Sequence, residues 1–205
     1  MTNRVQFTVI AAVLITVIAA YIGFSHYTGF DRQLKDNHVL RFPSPRLLPE
    51  VSLTRHDGEP FSIEQFKGRW NLINFGYTFC PDICPTNMAD MRLAYTELAE
   101  AGFTDQLNFW MVTVDPARDT EQQLALYVPY FHADFVGLTG SSDEISQLAS
   151  ALDAVYYIEG EGEGYTVAHS DNYAIINPAG EYVALIRPPH RAQNIVAALK
   201  VLMQP

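Results

Sequence analysis

The chain has 205 residues, 48% hydrophobic and 18% charged, which excludes a disordered or low-complexity polypeptide and leaves room for one globular domain with some extra chain. Its formal net charge is −10, from 13 Lys and Arg against 23 Asp and Glu. Such an acidic chain, with no clustered basic stripe, repels phosphate backbones, so no nucleic-acid partner is expected.

Mean hydropathy is near zero, and the cause lies in the first segment. Residues 5–24 (VQFTVIAAVLITVIAAYIGF) carry no charge, and about 20 such residues span the hydrocarbon core as a helix. Arg4 precedes the run, and a basic flank favours the cytoplasmic side. Tyr21 and Tyr27 sit near the exit end, where amphipathic rings favour the interface. A cleaved signal peptide is the rival reading, but the run exceeds the usual apolar core of about 7–15 residues. A transit peptide is expected to be rich in Arg and Ser, and this segment is neither. The expectation is a single-pass anchor over residues 1–24 in a bacterial inner membrane, with the remaining chain on the periplasmic or other extracytoplasmic side.

Residues 25–46 are expected to be a tether, because Pro43 and Pro45 interrupt regular helix and central strand alike. A globular domain is expected over 47–205. Residues 72–77 (LINFGY) form a short apolar run, expected as a buried strand. Met88, Met91, Tyr95 and Leu98 then recur at helical spacing, with Gly102 placed to end the helix. Residues 109–114 (FWMVTV) predict a second buried strand. Thr120-Glu-Gln-Gln123 resembles a capping box ahead of Leu124, Tyr127, Val128 and Phe131, and Ser141-Ser-Asp-Glu144 repeats the signal ahead of Ile145, Leu148, Ala149 and Leu152. The alternating Glu and Gly of residues 159–164 predict a solvated hairpin tip. Two strands around Asn177-Pro-Ala-Gly180 predict a hairpin, and Ile195, Ala198, Leu199 and Leu202 a closing helix. The order of elements predicts an α/β sheet covered by helices on both faces.

The only two cysteines, Cys80 and Cys84, fall between the first strong strand and the first helix. A strand-to-helix turn lets both sulfurs reach one spot, and a helix N-terminus favours thiolate over thiol. The pair is therefore suited to a redox disulfide or to a two-thiolate metal grip. Two soft thiolates with one imidazole suit copper(I), whereas a closed zinc site needs a fourth ligand. Of the six histidines, His26 and His38 fall in the tether, His56 in a turn and His132 at a helix end. His190 precedes the last helix. His169 precedes a strand able to run beside the cysteine strand, and spacing alone does not choose it.

Phe75-Gly-Tyr-Thr78, Cys80-Pro-Asp-Ile-Cys-Pro85, Val114-Asp-Pro-Ala-Arg-Asp-Thr120 and His169-Ser170, in that order, resemble the Sco/SenC family, as does the stretch YAIINPAG at 173–180. The similarity covers roughly residues 47–202. It implies a thioredoxin-like fold behind an N-terminal transmembrane helix. It also implies copper, Cu(I) or Cu(II), held by Cys80, Cys84 and His169, and a role in assembling the CuA centre of cytochrome c oxidase subunit II. The partners it implies are that subunit or a similar copper acceptor, together with a copper donor. Ala168 departs from the acidic residue often found before the histidine in this family.

Asp82, Asp115, Arg118 and Asp119 lie in the matching motifs and are candidates to surround the ligands. Asp119 or Thr120 can cap the following helix, and Arg118 can pair with Asp115 across the turn. The resemblance and the cysteine pair leave two expected functions. One is a copper chaperone; the other is a thiol–disulfide oxidoreductase that reduces the acceptor's cysteines, with Cys80 attacking and Cys84 resolving. Three residues between the cysteines, where the usual redox motif has two, weigh against the second.

Overall fold

A computed structural model describes residues 2–204; within that span the side chains of residues 2–5, 8, 9, 11, 22, 24–28 and 163 lie outside the described set. The chain begins with one helix, α1 (Thr2–Asp36), which contains the expected anchor at 5–24. Part of that segment's side chains lies outside the described residues. Among the described residues, no helix is long and apolar enough to cross a membrane.

The segment 25–46, expected as a tether, is helical to Asp36 and then enters a strand. Helix α1 continues to Asp36 because Phe30 and Leu34, one turn apart, pack into the core, with Leu34 fully buried. After a turn through His38, which has positive φ, the chain enters β1 (Val39–Arg46). This strand is the outer member of the sheet, where a proline's missing N–H leaves no ladder bond unmade.

There follow β2 (Ser52–Arg55), β3 (Pro60–Ser62), β4 (Trp70–Gly76), α2 (Ile83–Glu100), β5 (Leu107–Thr113), α3 (Glu121–Phe131), β6 (Val136–Thr139) and α4 (Ser142–Ala151). Strands β7 (Tyr156–Glu159), β8 (Thr166–His169), β9 (Tyr173–Ile176) and β10 (Tyr182–Ile186) lead to α5 (Ala192–Leu202). Among the described residues, eight strands form one sheet in the order β1-β10-β9-β4-β5-β6-β2-β3, and β7 pairs only with β8. Strands β4, β5 and β6 are parallel, while β9 runs antiparallel to β4.

The expected helices form for the expected reasons. Thr120 Oγ1 accepts from Gln123 N, and Ser141 Oγ accepts from Glu144 N. Gly102, at φ +77°, closes α2. Met88, Met91 and Leu98 are fully buried under one face of the sheet with the apolar stripe of α5. On the opposite face, Ile145 and Leu148 of α4 pack with Phe66, Phe75 and Trp110. Strands β2, β3, β6, β7 and β8 have only three or four residues each, too few for an alternating pattern to mark them. The acidic glycine stretch does form the tip between β7 and β8.

Candidate metal centre

The parallel strand β4 delivers the chain to one end of the sheet at Gly76, and Cys80 and Cys84 follow at the junction with α2. Cys84 lies in the first turn of α2 and is fully buried; Cys80 is half-buried. Pro85 is tolerated here because first-turn N–H groups have no intrahelical acceptor. Cys84 N donates to Cys80 Sγ at 3.4 Å, which folds the loop so that both free sulfurs share one side. Gly76 leaves little room beside the pair: a Cβ there would lie 3.2 Å from Cys84 Sγ, so the sulfur would have to give by a few tenths of an ångström.

Strand β9 pairs with β4, and the residues that lead into it bring His169 to the cysteines. The donor atoms of Cys80, Cys84 and His169 all lie within 4.8 Å of one another, and among the described residues no other trio of His, Cys, Asp or Glu donors converges in this way. His169 Nε2 is 3.3 Å from Cys84 Sγ, and Nδ1 is 3.0 Å from Ser170 O. A carbonyl oxygen can only accept, so Nδ1 carries the hydrogen, and in the neutral ring this leaves the Nε2 lone pair facing the sulfurs. That is the tautomer an imidazole ligand needs. Tyr77 packs edge-on against the ring at 6.1 Å.

Electrostatics at Cys84 differ from the helix-dipole expectation. Burial pushes its thiol well above the ordinary range, and the contact with Cys80 adds to the effect. Without a metal, the buried thiol stays protonated and can donate to His169 Nε2. Loading a metal must then expel that proton.

The remaining candidates sort by contact. Asp119, completely buried, accepts from Thr78 N and Oγ1 and from Thr113 Oγ1. It therefore ties down the loop just before Cys80, and Thr120 alone caps α3. Arg118 Nε donates to Asp115 Oδ2 at 2.5 Å, as the motif suggested. Asp82 is exposed and its side chain makes no capping bond; its carbonyl accepts from Thr86. His56 accepts from Gly137 N, and His132 from Asp134 N. His38 lies in the turn after α1. His190 is buried against Tyr173, with ring centroids 3.9 Å apart.

The sequence did not mark the contacts that several neighbours make around the site. Asn87 Nδ2 bonds the Asp171 carboxylate, and Tyr173 Oη donates to Asn87 O at 3.2 Å. His190 Nε2 bonds Asp171 O. These contacts brace the segment just after His169 against α2. Tyr77 Oη accepts from Val167 N, and Tyr165 Oη donates to Asp115 Oδ1 at 2.6 Å. A tyrosine beside a motif reads as core until partners from distant strands are known.

Residues 43–204 match the sequence model of the SCO1/SenC family. The chain belongs to the SCO1/SenC family. A protein of Stutzerimonas stutzeri, named as a candidate copper-binding protein, is 39% identical over 171 residues, 83% of each chain. The human mitochondrial SCO1 homolog is 36% identical over 164 residues, which cover 78% of this chain and 54% of that protein. The chain thus spans about half the length of that mitochondrial relative. The crystal structure of Arabidopsis thaliana ScoI with copper bound aligns with a TM-score of 0.72 at 30% identity, covering 78% of this chain and 99% of that one. The architecture is the thioredoxin-like α/β fold of Sco proteins.

Proposed function

We propose that this SCO1/SenC protein binds copper through Cys80, Cys84 and His169 and delivers it to, or matures, the CuA centre of cytochrome c oxidase. Subunit II or a similar copper acceptor is the partner, and a separate donor loads the site. One observation carries the reading: two sulfurs and an imidazole nitrogen, from segments 85 residues apart, converge on one point with the imidazole already in the ligating tautomer. A soft donor set of this composition favours Cu(I). Cys80 and Cys84 bind as thiolates, giving up their protons, and neutral His169 completes the set. Cys80, half-buried where Cys84 is fully buried, is the sulfur an acceptor's thiolate can approach first before taking over the ligands stepwise. Anaerobic Cu(I) titration of the reduced full chain in detergent tests this. One copper per chain, lost in Cys80→Ser, is expected; negligible binding by the wild type defeats the proposal.

The anchor belongs to the same proposal. The apolar run at 5–24 is long enough to span a bilayer of about 30 Å, and the helix beyond it docks on the domain. The turn after α1 reverses the chain into β1, so α1 runs back along that strand with Phe30 against Arg41. Val39 pairs with Ile186, Ile186 with Tyr173 and Tyr173 with Asn74, so β1 starts at the cysteine end of the sheet. The apolar run therefore leaves from the opposite end. With that run in the membrane, the cysteines would face away from its surface, toward an extracytoplasmic acceptor. Alkaline extraction of membranes from expressing cells is expected to leave the chain in the pellet, with the domain open to protease from the periplasmic side. Release of the intact chain into the supernatant speaks against the anchor.

Reduction of the acceptor's cysteines is the second reading, favoured by one contrast: Cys80 is accessible and Cys84 is buried behind it, the layout of an attacking and a resolving thiol. Reductase activity that survives His169→Ala distinguishes it from copper delivery.

A further inference from the structure

The hairpin of β7 and β8 carries His169 yet, among the described residues, joins no other strand. An isolated two-stranded hairpin is marginal in water, so side chains must hold it where the imidazole meets the cysteines. We propose that Arg118 is a positioning residue for the candidate copper site, a clasp that fixes the His169 hairpin against the Cys80 loop.

The guanidinium reaches both sides at once. Nη1 donates to Tyr165 O at 3.0 Å, at the foot of β8, and the guanidinium carbon lies 3.7 Å from the centre of the Tyr165 ring. It also lies 4.9 Å from the ring of Phe79, the residue before Cys80. Nε anchors the group to the buried Asp115 carboxylate, whose second oxygen accepts from Tyr165 Oη. Arg118, Asp115 and Tyr165 thus close a ring of contacts between the β5–α3 turn and the hairpin, and Phe79 extends it to the metal loop. Lysine cannot replace this group. A single ammonium offers no planar fork to span a carboxylate and a carbonyl, and it stacks poorly between two rings.

The copper consequence of the clasp rests on the proposed function, and its test keeps the two apart. In the metal-free full chain in detergent, Arg118→Lys is expected to speed amide exchange across residues 156–169, with β4 and β5 unchanged. Competition against a Cu(I) chelator is expected to show affinity lowered about tenfold to a hundredfold, the usual range for groups that orient a ligand. In a His169→Ala background, Arg118→Lys is expected to cost no further affinity, because the clasp acts through the imidazole. Tyr165→Phe removes one hydroxyl without a charge and is expected to reproduce the effect in weaker form, so a misfolded Arg118 variant does not end the test. Unchanged hairpin exchange in both variants overturns the clasp. So does an equal affinity loss with and without His169. A wild-type chain that fails to bind Cu(I) overturns the function instead, and the exchange measurement still decides the clasp.

Discussion

Cys84 Sγ lies 3.3 Å from His169 Nε2, although 85 residues separate them in the chain. The contact depends on a backbone carbonyl as much as on the two side chains, since Ser170 O fixes which ring nitrogen is free. A neutral imidazole held in this way would need no reorientation to ligate a metal beside the two sulfurs.

His169→Ala is therefore expected to lower Cu(I) affinity by at least about tenfold, since even groups that only orient a ligand contribute that much. Competition with a calibrated chelator measures it. Affinity equal to wild type removes the histidine from the site.

Gly76→Ala is expected to disturb the same site from below. The new methyl comes within 3.2 Å of Cys84 Sγ and 3.6 Å of Met111 Cε, and overpacking of this kind costs about 1–3 kcal/mol. Urea unfolding is expected to show that loss, with weakened copper binding beside it. Unaltered stability and affinity together show that the sulfur has room to spare.

Asp119→Asn replaces one acceptor oxygen by a donor in a fully buried carboxylate that serves Thr78 N, Thr78 Oγ1 and Thr113 Oγ1. At least one of these donors loses its acceptor, and a buried polar group left unsatisfied costs about 1–3 kcal/mol. Chemical denaturation with a native-like slope is expected to report a loss of that size.

Acidification is expected to destabilise the fold through two histidines. Burial holds both His190 and His56 below the ordinary imidazole value. His190 stays low although Asp171 and Asp90 pull its proton affinity upward, with His38 opposing them. Because the folded-state values are depressed, the unfolded chain binds more protons as pH falls below about 6.5, and stability drops there while staying flat above it. Asp119 has the opposite sign: burial raises its carboxyl, so its contribution is lost as pH rises through that raised value. Stability measured between pH 5 and 8 is expected to fall on the acid side, with a shallower slope in His56→Gln. An identical slope in that variant excludes His56 as a contributor.

Much of the architecture was legible because it is local. Helical spacing of Met88, Met91 and Leu98, caps at Thr120 and Ser141, and apolar runs long enough to be buried strands each depend on residues a few positions apart. The cysteine turn was legible for the same reason. The local structure of residues 25–46 was not legible, because Phe30 and Leu34 become a helix face only once α5 stands opposite, and prolines in β1 are harmless only on an edge.

What the chain alone marked was a candidate donor set, Cys80 and Cys84 at a strand-to-helix turn, with His169 indicated by its motif. Folding decided the rest. It selected one imidazole tautomer, reversed the expected bias of Cys84 toward thiolate, and gathered Arg118, Asp115 and Tyr165 into a brace. The physical reason is distance along the chain: burial, hydrogen-bond satisfaction and a guanidinium shared between rings arise between segments tens of residues apart, which no local pattern encodes.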